Sequence, residues 1–339
     1  MNKIPKQNKI WWFRIRILLG VNSPLNHYAD VPKPKNIILT KVVAISRLIR
    51  FPNLLIVGLT QLLLGWILYG ALSRRALDGY EFGLLILATV FIAAAGYVIN
   101  DIYDRSIDEA NKPEKVIVGR YISIEQAWVV YWGLVGVGFL VAAYLAWAID
   151  DFWQLLIYPV ATVVLWAYAK TLKKSFIAGN IVVAAYCAFV PGILWYAERM
   201  YLGRLPAQET GGVRLIFIVY AVMAFLTTVW REIIKDMEDM TGDKVHGSKS
   251  LPVRYGLPLA QKIAFFLGGI TFLLVGYYWI YLGQNGVWME FGYLFIPLII
   301  NALALVKSMH SVQPGDLHLV SRLIKLLMVF GLGYLFFLV

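Results

Sequence analysis

The sequence predicts an all-α, polytopic membrane protein with nine transmembrane helices. Of its 339 residues, 60% are hydrophobic and 15% are charged, whereas about 25% of the residues of an ordinary soluble domain are charged. The mean hydropathy is +0.68. The apolar residues form runs of about 20, the length that a helix needs to cross about 30 Å of hydrocarbon. These features exclude a soluble globular protein.

Nine apolar runs define the candidate helices. The connections at 148–152 and 171–175 are short enough to force antiparallel hairpins, whereas 100–123 and 231–257 are long and charged. We therefore expect function to concentrate in the two long stretches. The expected spans are 45–72, 81–101, 124–148, 152–170, 176–198, 213–236, 258–283, 288–308 and 318–339.

The distribution of charge predicts the orientation. The stretch 1–41 is basic and interrupted by prolines, which indicates a cytosolic N-terminal segment ahead of a membrane domain over 42–339. Sorted by the side on which each loop falls, 26 of the 31 Lys and Arg residues share the side of the N-terminus. Because basic loops stay in the cytoplasm, we expect the N-terminus inside the cell membrane and the C-terminus outside.

The charge and the cysteine content also limit the classes of binding partner and structural site that the protein can have. The net charge of +11 is spread over loops, without the interleaved stacking aromatics of a nucleic-acid-binding surface. Lipid headgroups and a phosphorylated substrate are therefore better partners than nucleic acid. The single cysteine, Cys187, excludes a disulfide framework and a thiolate metal cluster.

Acidic residues are concentrated at the ends of the second and sixth spans. These two segments hold nine of the 20 acidic residues. Within each segment they recur at spacings of three or four, so a helix aligns them along one face. The first acidic stripe comprises Asp101, Asp104, Asp108 and Glu109 with the preceding amide Asn100, and the second comprises Glu232, Asp236, Glu238, Asp239 and Asp243.

Crowded carboxylates at a membrane helix end repel one another and need a cation. Oxygen ligands without neighbouring His or Cys suit Mg²⁺, which binds through one or two carboxylates plus substrate phosphates. Two facing stripes therefore predict two Mg²⁺ ions that hold a diphosphate. The alternative is a pair of solvated acidic loops, neutralised by Arg105, Arg231, Lys235 and Lys244.

The two stripes resemble the signatures of the UbiA superfamily of intramembrane prenyltransferases, and the resemblance extends over the nine-helix layout. It implies a helical bundle around a central cavity, with both motifs at its cytoplasmic mouth. It also implies Mg²⁺-dependent transfer of a prenyl group from a polyprenyl diphosphate, such as geranylgeranyl diphosphate, to an acceptor. The matching positions are Asn100-Asp101-x-x-Asp104-x-x-x-Asp108 with Asn111, Pro113 and Gly119, and Asp239-x-x-x-Asp243 with Gly247, Ser250 and Pro252.

The resemblance also implies roles for single residues. Asn100 and Asp104 are the implied ligands of one Mg²⁺, and Asp239 and Asp243 are those of the other. Lys173 is a candidate diphosphate ligand. Alternatively, it is a lysine whose amine extends to the lipid headgroups. Asp104, Asp239, Asp243 and Lys173 are the expected catalytic group. Further expected binding residues are Asp101, Asp108, Asp236, Lys115, Arg50 and Asn53, and the aromatic candidates to shield a carbocation are Tyr97, Tyr103 and Trp230.

The function stays open among three hypotheses, two of which differ in the acceptor. The lead-in Glu232-Ile-Ile-Lys235-Asp236 lacks the Tyr-Ala pair of hydroxybenzoate-type relatives and is more similar to the branch whose acceptor is geranylgeranylglyceryl phosphate, an ether-lipid precursor. Similar strings occur in branches that act on aromatic acceptors, such as 4-hydroxybenzoate, quinone precursors, homogentisate or chlorophyllide. An ion-coupled transporter is the second alternative, although its ligands are expected near the bilayer midplane.

Overall fold

The computed structural model describes residues 37–338, apart from 73–74, 112, 114–115 and 246. Nine of its helices are long and apolar enough to span a membrane. Strand-type pairing in the described residues is limited to one isolated bridge between Val118 and Ile122. The all-α class predicted from the sequence is confirmed, and the chain is an integral membrane protein. The predicted N-terminal segment 1–41 lies almost entirely outside the described residues.

The described α-helices include nine spans, α2–α6, α8 and α10–α12, and three shorter helices. Proline occupies the first turn of α2, α9, α10 and α12, where its missing N–H has no helical partner to lose. In chain order the helices are α1 (Ile37–Leu48), α2 (Phe51–Ala71), α3 (Gly79–Asn111), α4 (Ile124–Ala148), α5 (Phe152–Lys170), α6 (Ala178–Ala197), α7 (Arg199–Leu202), α8 (Ala207–Val245), α9 (Leu251–Tyr255), α10 (Leu257–Gln284), α11 (Trp288–His310) and α12 (Pro314–Tyr334).

The first span begins later than the sequence predicted. We expected one helix from residue 45, but the chain breaks between α1 and α2, where Arg50 adopts a left-handed conformation with φ 51°. Pro52 explains the break, because its ring would clash with the carbonyl of Leu48 in a continuous helix. The new helix starts instead from the Arg50 carbonyl, which accepts from the Asn53 amide at 2.8 Å.

Helices α3 and α8 continue well beyond the spans that hydropathy predicted, which end at 101 and 236. They have 33 and 39 residues, or about 50 and 58 Å of helix at 1.5 Å per residue. An ion pair one turn apart, Arg105 to Glu109 at 3.1 Å, supports the extension of α3. In α8 the pair of Lys235 with Glu232, at 2.8 Å, lies just before the extension. Both acidic stripes therefore lie on continuous helix.

The two long helices organise the bundle. Helix α3 packs against α2, α4 and α5, α8 packs against α6, α10 and α12, and the two also contact each other. Trp230 of α8 is fully buried. It lies so close to α10 that a Cβ added at Gly268 would be 2.7 Å from its ring. This packing holds the extensions of α3 and α8 at the same end of the molecule.

At the opposite end of the bundle, a buried carboxylate holds two connections together. Glu198, after α6, is fully buried and accepts hydrogen bonds from the Tyr69 hydroxyl at 3.1 Å and from the amides of Ala76 and Leu77 at 2.6 and 3.1 Å. Ala76, Leu77 and Glu198 lie after the first and fifth spans, in connections that the sequence assigned to the side opposite the stripes. These two connections meet at one end of the bundle, as the predicted alternation requires.

Candidate active site

The first acidic stripe is organised by an amide and a carboxylate one helical turn apart on α3. The Asn100 Nδ2 donates to Asp104 Oδ2 at 2.6 Å. The Asn100 Oδ1 is buried and has no hydrogen-bond partner among the described residues. A buried amide oxygen without a donor is costly, so this atom is available to a cation held jointly with Asp104.

Lys173 is brought to Asp104 by a short 3-10 turn, Leu172–Lys174, between α5 and α6. Its amine forms an ion pair with the Asp104 carboxylate. Burial lowers the pKa of Lys173 from its ordinary value, although the Asp104 charge acts in the opposite direction. Gly179 of α6 makes the approach possible, because an added Cβ would lie 2.7 Å from the Lys173 Cα.

The break between α1 and α2 aims Arg50 at the same stripe. Its guanidinium donates to Asp101 Oδ1 at 3.0 Å and lies 4.9 Å from the centre of the Tyr97 ring. Asn53, one turn later, accepts a hydrogen bond from Lys325 of α12 at 3.0 Å. The expected Arg and Asn of the first span therefore both point into the bundle.

The second acidic stripe is held by polar partners from two neighbouring segments. Asn180 of α6 donates to Asp236 Oδ2 at 2.8 Å. The Ser250 hydroxyl donates to Asp243 Oδ2 at 3.3 Å. One turn before Asp236, Glu232 accepts from Lys235 at 2.8 Å. Asp239 lies between these positions on α8.

The two stripes are close enough to share an electrostatic environment. The charge of Asp104 acts on Asp243 across the gap between α3 and α8. Tyr168 of α5 lies among both stripes, since the charges of Glu232, Asp104 and Asp236 all act on its hydroxyl. A backbone hydrogen bond of 2.9 Å from Lys249 to Lys174 also joins the loop after α8 to the turn that carries Lys173. The two stripes therefore belong to one site.

Gly119 belongs to the loop that follows the first stripe. It has a φ of 89°, a conformation that glycine adopts readily, and its amide donates to the Ile122 carbonyl at 2.7 Å. An added Cβ would lie 2.6 Å from the Arg105 side chain. The glycine therefore lets this loop fold back onto the extension of α3.

Neither stripe gathers enough acidic groups to enclose a metal ion unaided. Within the described part of the chain, no three His, Cys, Asp or Glu side chains converge on a possible metal position. Such a set is not needed for Mg²⁺, which retains water and commonly takes one or two protein carboxylates together with substrate phosphates. The buried, unpartnered Oδ1 of Asn100 beside Asp104 fits that chemistry.

Most of the predicted residues lie in this site, and three are not placed there. Lys115 lies outside the described residues. Tyr103 packs edge-on against Trp128, with ring centres 6.4 Å apart, and Trp230 is in the core between α8 and α10. Only Tyr97 of the three aromatic candidates contacts another site residue. The residues that the structure brings together are Arg50, Asn53, Tyr97, Asn100, Asp101, Asp104, Asp108, Lys173, Asp236, Asp239 and Asp243.

The sequence analysis assigns no role to three residues of the site. Two of them, Tyr168 and Asn180, lie on either side of Lys173 in the matching segment Tyr168-x-x-x-Leu172-Lys173 before Gly179-Asn180, so their position was a usable signal. Lys325 also carried one, because an ionisable residue inside a transmembrane run is a candidate functional group.

A comparison with protein families decides what kind of site this is. The UbiA prenyltransferase family matches residues 58–330, which include both acidic stripes and Lys173. The chain belongs to the UbiA prenyltransferase family. As a UbiA prenyltransferase it is an enzyme, and the transporter hypothesis is set aside. The position of the stripes on helical extensions agrees with this conclusion, since a carrier would bind its ligands near the midplane.

One similar UbiA relative is the digeranylgeranylglyceryl phosphate synthase of Metallosphaera sedula, 32% identical over 196 residues. That alignment covers 58% of this chain and 64% of the relative, slightly less than two thirds of its length. Seven other relatives that share the name are 27–34% identical.

Solved structures of UbiA proteins show the same fold. A digeranylgeranylglyceryl phosphate synthase structure gives a TM-score of 0.57 at 23% identity, covering 87% of this chain and 97% of that one. A UbiA homologue from Archaeoglobus fulgidus bound to DMAPP and Mg²⁺ gives 0.52 at 19% identity, with 86% and 98% covered. Prenyl diphosphates and Mg²⁺ are thus ligands of UbiA homologues.

Proposed function

We propose that this enzyme transfers a geranylgeranyl group from geranylgeranyl diphosphate to geranylgeranylglyceryl phosphate, a step of ether-lipid synthesis. The observation that carries the proposal is the convergence of the two acidic stripes on one site with Lys173 beside them. Relatives named digeranylgeranylglyceryl phosphate synthase support the choice of acceptor.

Mg²⁺ is the proposed cofactor. Asn100 and Asp104 would hold one ion, and Asp239 and Asp243 the other. When bound, the metal supplies positive charge against the negative charge that grows on the departing diphosphate. Asp101, Asp108 and Asp236 would support these ligands or hold their waters, with Asp101 oriented by Arg50 and Asp236 by Asn180.

Lys173 is the proposed diphosphate ligand supplied by the chain itself. Its amine already lies at the carboxylate of a proposed metal ligand, so a phosphate oxygen held there comes within its reach. A charge-assisted hydrogen bond to that oxygen strengthens as the leaving group gains negative charge. Lys115, which follows α3 in the sequence, is a further proposed ligand of the same diphosphate.

The reaction joins the acceptor hydroxyl oxygen to the first carbon of the prenyl chain. The bond between that carbon and the diphosphate oxygen breaks, and pyrophosphate and a proton are released. Positive charge develops on the allylic carbon, and Tyr97 is the proposed aromatic neighbour that stabilises it by its ring face. Arg50 and Asn53 would lie near the acceptor. Arg50 is at the break before α2, and Asn53 is in the first turn of that helix.

The proposed placement is the cell membrane with the acidic end toward the cytosol, where diphosphate and Mg²⁺ are available. The excess of Lys and Arg at that end, 26 of 31, supports this orientation. We propose 42–339 as the prenyltransferase domain and 1–41 as a basic cytosolic segment. A cysteine-labelling scan with a membrane-impermeant reagent tests the orientation.

An assay with two acceptors tests the function. Purified protein in detergent, with Mg²⁺ and radiolabelled geranylgeranyl diphosphate, is offered geranylgeranylglyceryl phosphate in one reaction and 4-hydroxybenzoate in another. We expect label in the dialkyl glyceryl phosphate alone. Label in the aromatic product alone would assign the enzyme to the aromatic-acceptor branch and overturn this choice of acceptor.

A further inference from the structure

Lys325 lies in the middle of the last span, in a strongly apolar segment. It is the twelfth residue of α12, flanked on each side by two aliphatic residues. Ionisable groups at such positions are expensive and are normally paired with an opposite charge. Lys325 donates only to the neutral Asn53 Oδ1, at 3.0 Å, and within the described chain no carboxylate lies within ion-pair distance of it.

Helix α12, which carries Lys325, packs against α8, which carries Arg231. Among the described residues, the charged groups that act on the Lys325 amine are two cations, Arg231 and Arg50. Arg50 is committed to Asp101 at 3.0 Å. Arg231 reaches only the adjacent Glu232, at a long 3.4 Å, and that carboxylate already accepts from Lys235.

Arg231 also has an unused donor. Its Nε is buried and lacks a hydrogen-bond partner among the described residues. An unsatisfied charged donor of this kind carries a desolvation cost that an anionic ligand would remove. Lys325 and Arg231 together therefore form an interior position with excess positive charge and free donors.

We infer that Lys325, with Arg231 beside it, binds the phosphate of the acceptor and selects a phosphorylated acceptor over a neutral one. The inference deepens the proposed function and rests on it. A phosphate monoester has the charge and the acceptor oxygens that this position lacks.

This phosphate position is distinct from that of the donor diphosphate. The diphosphate ligands proposed above are on α3, on the turn before α6 and at Asp239 and Asp243 of α8, eight and twelve residues after Arg231. Lys325 is on α12 and contacts the first turn of α2. Two anionic groups bound at separate positions would leave the acceptor hydroxyl between them, as the transfer requires.

Paired acceptors test this inference. Initial rates are measured at saturating donor and Mg²⁺ with geranylgeranylglyceryl phosphate and with the neutral geranylgeranylglycerol. In Lys325→Met we expect kcat/KM for the phosphorylated acceptor to fall about ten- to hundredfold, the range for a charge-assisted hydrogen bond. The value for the neutral acceptor and the KM for the donor should change by less than about twofold, while Lys325→Arg should retain most of the preference.

Lys262→Met is the matched control, because it removes the same charge from an exposed position on α10. It should leave both acceptors unaffected. An equal loss for both acceptors in Lys325→Met would assign Lys325 a structural role and overturn the inference, as would an unchanged ratio. If wild-type protein labels no glyceryl phosphate acceptor, the proposed function itself fails.

A measurement on the wild-type enzyme covers the case in which Lys325→Met does not fold. Inorganic phosphate should inhibit competitively against geranylgeranylglyceryl phosphate when the donor is saturating. Inhibition that is competitive against the donor alone would place the phosphate in the diphosphate position and contradict the inference.

Discussion

Lys173 forms an ion pair with Asp104, which lies 69 residues earlier in the chain. The pair joins the turn before α6 to the first acidic stripe on α3. It places a cation beside a proposed metal ligand. Under the proposed function, Lys173 would give the donor diphosphate one protein contact that does not depend on metal.

Loss of one proposed metal ligand should nearly abolish transfer. Asp104→Asn and Asp239→Asn each remove a carboxylate charge while keeping the side-chain shape, so we expect kcat to fall by about a hundredfold or more with folding intact. Product formation and size-exclusion profiles in detergent are the measurements. Asp316→Asn, an exposed change in the first turn of α12, is the control. Full activity in both stripe variants would contradict the two-metal proposal.

Removal of Mg²⁺ should stop the reaction reversibly. EDTA should bring transfer to background because the charge on the leaving diphosphate is then uncompensated. Added Mg²⁺ should restore the rate, whereas Ca²⁺, which prefers more ligands at longer distances, should restore less of it. The radiolabel assay measures each step. Undiminished activity after thorough chelation would exclude a metal requirement.

Lys173→Met should weaken donor binding. We expect the KM for the prenyl diphosphate to rise about tenfold or more, because a charge-assisted hydrogen bond is lost. Lys174→Met removes the same charge from the adjacent, exposed side chain and should change the donor KM little. Equal effects of the two substitutions would reduce Lys173 to a lysine that contacts headgroups.

Gly179→Ala should displace the turn that carries Lys173. The added Cβ would lie 2.7 Å from the Lys173 Cα and 3.1 Å from the Leu172 carbonyl oxygen, so backbone must move. We expect about 1–3 kcal/mol of destabilisation and a higher KM for the donor. Gly136→Ala is the control, since its Cβ would meet nothing within 4 Å. Steady-state kinetics and thermal unfolding separate the two effects.

Glu198→Ala should destabilise the protein without touching the chemistry. The substitution leaves the amides of Ala76 and Leu77 without their acceptor, which should reduce the free energy of unfolding by about 3 kcal/mol. Thermal unfolding in detergent measures the loss, and Glu125→Gln, an exposed change, should alter it little. The rate per folded molecule should stay at the wild-type value, and a large change would indicate coupling between the two ends.

The limits of sequence prediction are visible in α3 and α8. Hydropathy located both spans but ended them at Asp101 and Asp236, where charged residues accumulate. It measures transfer into lipid and does not detect helix that continues outside the apolar run. The acidic spacing already carried the correct helical phase. The sequence analysis assigned no role to Asn180 or Lys325, because their roles depend on partners 56 and 272 residues away.

The sequence by itself determined the membrane class, the number of spans, their alternation and the composition of the two stripes. These properties follow from local periodicity and from the cost of placing charge in hydrocarbon, which act on each segment separately. The tertiary structure decided which groups meet: Lys173 with Asp104, Asn180 with Asp236, and Lys325 with Asn53. Those pairs depend on how helices pack, because a close approach such as that at Gly179 is set by both partners at once.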